Sequence, residues 1–234
     1  MSMGYMGYFV IVGVFALIGK LVSGRLRSKF AQYSRMPLPS GLSGAEVAQK
    51  MLDDYGITNV TISMGKGMLS DHYNPLKKEV KLSPDVYQGR NVSAAAVAAH
   101  ECGHAIQHAK SYPFLGMRSA IVPIVQASSK IQGILFGVGI YFMTGNNPIF
   151  LWVAIATFGI TALFSVITLP VEFDASKRAL NWLNTSKLLP EREYYGAKDA
   201  LKWAAMTYVV AALSAVVQVL YWLMLLMNSR GNRA

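Results

Sequence analysis

The sequence predicts an α-helical integral membrane protein with about four transmembrane helices and a small α+β domain. Three observations carry that reading: an apolar, charge-poor composition, three long stretches without a charge, and a polar segment that mixes helix and strand patterning. Of the 234 residues, 53% are hydrophobic and only 15% charged, whereas about a quarter of an ordinary soluble domain is charged. The net charge of +10 fits basic residues flanking membrane spans. No basic stretch is interleaved with aromatics, which argues against a nucleic-acid surface. Cys102 is the sole cysteine, so no intrachain disulfide can form.

The first expected span covers residues 3–22. Residues 1–19 carry no charge, and Tyr5 to Val22 is interrupted only by Lys20, about the ~20 residues a bilayer demands. A secretory signal would begin with positive charge and end at small residues. Here Arg25, Arg27 and Lys29 follow the apolar run instead, so the segment reads as a retained anchor. Ile131 to Val171 also lacks any charge, and Thr144-Gly-Asn-Asn-Pro148 divides it with strong turn residues. That predicts a hairpin of two spans, 121–143 and 149–169. The fourth expected span is 204–227.

Residues 25–118 form the expected globular domain. Ser43 to Tyr55 reads as an amphipathic helix opened by a capping box, Ser43 with Glu46. Val60 to Met64 and Glu79 to Leu82 read as short strands, and the Ala-rich 93–109 as a buried helix. A second polar stretch, 170–202, starts in a helical pattern and contains Pro190.

The helix over 93–109 holds the motif that carries chemistry, His100-Glu-Cys-Gly-His104, an H-E-x-x-H. Residues four apart on a helix lie one above the other, about 6 Å along the axis. Their imidazoles can converge on one ion at the usual Zn–N distance of about 2.0–2.1 Å. Glu101 is placed to reach a water on that ion without ligating it, and to take its proton as a general base. The expected cofactor is therefore Zn²⁺, one per chain, and residues 25–118 read as a zincin-like catalytic domain. Gly103 lowers helix propensity, yet it allows another backbone or a substrate to approach. His108 extends the histidine ladder, but it stands about 12 Å from His100 along the helix, too far to share the ion. A metzincin would have a further histidine at position 110, where this chain has Lys110.

The third ligand has to come from elsewhere. Glu172, in Pro170-Val-Glu-Phe-Asp-Ala-Ser176, sits where the apolar hairpin returns to polar sequence, and Asp174 is its rival. Asp71, His72 and Tyr73, just before a predicted strand, are candidates to bind substrate or polarise its carbonyl, or are ordinary loop residues. Zincin substrates commonly pair with an edge strand beside the motif helix, and Lys78 to Ser83 is the expected edge.

With these residues in view, the chain resembles the YugP-like neutral zinc peptidases of bacterial membranes. The resemblance runs through Leu69-Ser-Asp-His-Tyr-Asn-Pro75, Val80 to Tyr87, Ala98 to His104, Arg118 to Pro123 and Leu169 to Ser176. The chain is also similar in plan to HtpX-type membrane metallopeptidases, in which a membrane hairpin separates H-E-x-x-H from a helix bearing E-x-x-x-D. That resemblance implies Glu172 as the third ligand. Ser176 stands where the pattern has Asp, so an outer partner of a ligand histidine is changed. Asp174 and Ser176 are thus candidates to support the ligands.

A shared ion needs His100, His104 and Glu172 on one side of the membrane, hence an even number of crossings between them. The hairpin supplies two. Lys20, Arg25, Arg27, Lys29 and Arg35 follow the first span, so the positive-inside rule puts the site on the cytoplasmic face of a multi-pass cell-membrane protein. Arg230 and Arg233 run against that bias. The expectation is an endopeptidase acting on membrane-associated polypeptides. Two competitors are a non-catalytic, metal-stabilised membrane scaffold and a hydrolase of another substrate. Glu101 argues against the scaffold, because a pure binding site has no use for a carboxylate there.

Overall fold

Charge-free sequence forms long helices, and the polar segment forms a short mixed sheet framed by helices. The computed structural model describes residues 2–67, 70–142 and 148–231. In chain order the elements are α1 (Ser2–Tyr33), α2 (Gly44–Asp54), β1 (Thr61–Met64), β2 (His72–Asn74), β3 (Glu79–Leu82), α3 (Pro84–Tyr87), α4 (Val92–Ala109), α5 (Pro113–Phe142), α6 (Pro148–Thr185) and α7 (Glu191–Gly231).

The chain divides into two compact units. The first comprises Met1–Leu21, Met117–Leu169 and Thr207–Ala234, and the second Val22–Gly116 and Pro170–Met206. In the first unit, Tyr8 donates its hydroxyl to Gln218 Oε1 at 3.1 Å and packs beside Trp222. Gln132 of α5 donates to Thr161 Oγ1 of α6 at 3.1 Å. Many large apolar side chains face outward: Phe9, Leu17, Leu21, Leu163 and Leu220 are more than half exposed. So much bare apolar surface is foreign to a protein in water. Among the described residues, three helical stretches are long and apolar enough to cross a membrane: Met6–Tyr33, Trp152–Thr185 and Glu191–Met227. The expected span 121–143 falls on α5, but Met143 lies outside the described residues, as does most of the expected turn at 144–148.

In the second unit the sheet order is β1-β3-β2, with β1 parallel and β2 antiparallel to β3. The capping box at α2 is present: Ser43 N–H donates to Glu46 Oε2 at 2.6 Å, and Glu46 N–H to Ser43 Oγ at 3.2 Å. Gly56, at φ +68°, closes the far end of α2 in the left-handed region that favours glycine. Asn91 caps α4, its side chain accepting from Ala94 N–H at 2.9 Å. Alanine predominates in α4, and every residue from Val92 to Gln107 except His100 is buried. Val171, Ala175, Ala179 and Leu183 form a fully buried stripe on α6 at four-residue spacing. Gly103 explains how closely α4 and α6 approach, since a Cβ there would stand 2.6 Å from the Ala175 carbonyl oxygen.

Four expectations need correction. Lys78 to Ser83 is not an edge: β3 is the central strand, paired on both sides, and β2 is the edge packed beside α4. His72 and Tyr73 lie in that strand rather than in a loop. α1 continues past residue 22 to Tyr33, because nothing in Arg25 to Tyr33 breaks a helix and Lys29 and Tyr33 both bind Asp199 of α7, at 2.7 and 2.6 Å. The helix expected over 170–202 is two helices. Glu172 lies inside α6, which runs through Pro170 because its buried stripe outweighs one lost backbone hydrogen bond. The break comes at 186–190, where Lys187 has φ +52° and Pro190 disfavours a helical Leu189.

Candidate metal centre

The H-E-x-x-H spacing on α4 puts His100 and His104 on one face, their ring centroids 4.8 Å apart and nearly perpendicular. α6 brings Glu172, only 2% exposed, to that face. Glu172 Oε2 stands 3.3 Å from His100 Nε2 and 3.7 Å from His104 Nε2. One atom from each residue fits within a cluster 4.8 Å across. Ligands of a tetrahedral zinc, each 2.0–2.2 Å from the ion, lie about 3.3–3.6 Å from one another. Two neutral imidazoles and one carboxylate are also a common zinc donor set. The two histidine–glutamate separations are close to those of such an ion, and the donor chemistry fits it.

Glu101 is buried beside this cluster. Burial pushes its carboxyl up to about 7. Glu172 and Asp71 push the same way, while His100 and the Tyr73 backbone N–H pull it down. Cys102, on the other side of α4, is fully buried with its Sγ 3.5 Å from the Ala48 carbonyl. Burial raises its thiol pKa, so it is a core residue rather than a nucleophile.

The far ring nitrogens of both histidines have partners. His100 Nδ1 is 3.1 Å from Ser176 Oγ, so the serine at the Asp position of the E-x-x-x-D pattern does reach a cluster histidine. His104 Nδ1 is 3.0 Å from Gln107 Oε1, a residue that sequence reasoning passed over. Its signal was available: position 107 is three residues beyond His104, on the same helical face, and polar within an Ala-rich helix. Asp174 does not join the cluster. Its Oδ2 binds Arg178 Nε at 2.5 Å and accepts from Gln107 Nε2 at 2.9 Å.

The other candidates are drawn together less tightly. Asp71 accepts from the Ser83 N–H at 2.7 Å and from its hydroxyl at 3.0 Å, tying the start of β2 to the end of β3. His72 is exposed and its Nδ1 bonds the Ser70 carbonyl oxygen at 2.7 Å. Tyr73 OH is 2.7 Å from His108 Nδ1. His108 is thus a hydrogen-bonded neighbour of the site that clamps the edge strand to α4, not a ligand.

A helix-borne pair of histidines and a carboxylate from a second helix form a group that could hold a metal ion, with a buried glutamate one residue past the first histidine. The chain belongs to the neutral zinc metallopeptidase family: the family described as "Putative neutral zinc metallopeptidase" matches residues 8–227. Among curated proteins it is similar to "Putative membrane protease YugP" of Bacillus subtilis (strain 168), 38% identical over 206 residues that cover 88% of this chain and 90% of that protein. No solved structure matches it.

Proposed function

We propose that the chain is a zinc-dependent endopeptidase of the cell membrane, with one zinc held by His100, His104 and Glu172 and with Glu101 as general base. The observation that carries this reading is a buried glutamate directly beside three convergent ligand atoms. Zinc bound there would supply Lewis acidity, polarising a carbonyl and lowering the pKa of water. Glu101, buried beside the ligand atoms, is suited to accept the proton that water gives up and to return it to the departing amine nitrogen. The Tyr73 N–H steadies that carboxylate from β2. The same edge strand offers backbone groups to an extended polypeptide, whose scissile bond would then lie across α4.

The fourth span over 121–143, a cytoplasmic site and membrane-associated polypeptide substrates complete the proposal. Cysteines placed singly at Asn146 and Ser229, in a Cys102→Ala background, should react with an impermeant thiol reagent in intact cells. One at Ser40 should not, and the reverse pattern would move the site outside. The proposed chemistry is tested by Glu101→Gln. It should keep zinc and fold yet lose hydrolysis by roughly two to four orders of magnitude. Parental turnover of a substrate that the parent cleaves would rule out the role.

A further inference from the structure

We infer that Gln107 is the positioning residue that sets the ring of His104 for metal and fixes the segment of α6 that delivers Glu172. The inference rests on the zinc reading above and concerns how this chain builds the site. Gln107 is fully buried in α4, where its primary amide must find partners. Two of them accept only: the Val171 carbonyl oxygen, 2.8 Å from Nε2, and the Asp174 carboxylate, 2.9 Å from it. They fix which end of the amide is nitrogen, a choice set by partners rather than by shape. Oε1 therefore faces His104, at 3.0 Å from Nδ1. Because Oε1 can only accept, Nδ1 must carry a hydrogen. A neutral His104 then has its lone pair on Nε2, the atom 3.7 Å from Glu172 Oε2.

One amide thus performs two tasks. Its oxygen chooses the tautomer of a ligand, and its nitrogen holds α6 at Val171 and Asp174, the positions one before and two after Glu172. Arg178 pairs with Asp174, so the carboxylate that receives Gln107 keeps a counter-charge. A leucine or methionine would fill the same volume without the cost of burying an amide. The directional bonds, not the packing, explain a glutamine here.

Competitive zinc titration against a chelator tests this on metal-free protein whose fold is first checked by circular dichroism. Gln107→Leu should fold and bind zinc about 10–100-fold more weakly than the parent, the usual cost of losing an outer partner of a ligand. Gln107→Glu should also bind more weakly, since a carboxylate cannot donate to Val171 or Asp174. Adding Asp174→Asn to Gln107→Glu should recover most of that loss, because the new amide donates to the new carboxylate, which still accepts from His104. A role confined to filling volume would give no such rescue. Parental affinity in both single variants, or weakening without rescue, overturns the inference. If Gln107→Leu does not fold, the Gln107→Glu and Asp174→Asn pair decides alone. A parent that binds no zinc removes the proposed function, and this inference with it. A parent that binds zinc beside variants that bind it equally removes this inference only.

Discussion

The two histidines of the cluster sit one helical turn apart and face the same carboxylate, but they are held differently. On the His104 side, Gln107 is fully buried and every bond it makes has a forced direction. On the His100 side the partner is the Ser176 hydroxyl, 3.1 Å away, which can donate or accept and so leaves the ring tautomer open. His104 is also the more deeply buried ring, its side chain 9% exposed against 13% for His100. A helix can present two identical ligands at identical spacing and still make one firm and the other pliable. The difference lies in what stands behind each ring.

The largest effect should come from removing the carboxylate that both sides share. Glu172→Ala should lose zinc at a chelator concentration the parent survives, a greater loss than the roughly 10–100-fold expected for an outer partner. Asp174→Ala should keep zinc, with a modest weakening, since it takes one of two acceptors from Gln107. Competitive zinc titration on both variants checks this, and loss of metal in Asp174→Ala alone would assign the third ligand to Asp174.

Next in size is Gly103→Ala, which disturbs both sides together. The added methyl would stand 2.6 Å from the Ala175 carbonyl oxygen and 3.0 Å from its Cα. Overpacking against backbone costs about 1–3 kcal/mol, so chemical unfolding in detergent should show a lower midpoint, and zinc should bind more weakly. A variant as stable as the parent would mean that the α4–α6 approach has slack. The smallest effect is expected at Ser176. Ser176→Ala should weaken zinc by about tenfold or less, the low end for an outer partner, and by less than Gln107→Leu. Ser176→Asp, which restores the acid of the E-x-x-x-D pattern, should tighten it. Should Ser176→Ala cost more than Gln107→Leu, the firm and pliable sides are reversed.

How much of this was legible in the sequence follows from the range of each signal. The α2 capping box and the strand at Glu79 to Leu82 are set by neighbours a few residues apart. The placement of His100, Glu101 and His104 is local as well. Glu172 lies 68 residues beyond His104, and spacing alone left Asp174 beside it as a rival. Geometry separates them, because a helix turns about 200° between these positions and Asp174 meets Gln107 and Arg178. β2 was missed because His72-Tyr-Asn74 is too short to show a period of two and earns its pairing only from β3. The edge assigned to Lys78 to Ser83 failed for the same reason, since an unseen strand on its flank makes it central. Gln107 stood on the face of His104 in the sequence, but its α6 partners, 64 and 67 residues away, had no local signal.

The central claim is that His100, His104 and Glu172 together hold a zinc ion, and metal content tests it most directly. Elemental analysis of the protein purified from zinc-replete cells should find about one zinc per chain, and essentially none when His100 and His104 are both replaced by Ala in a folded chain. No transition metal in the parent, or a full complement of zinc in the variant lacking both histidines, would contradict the account.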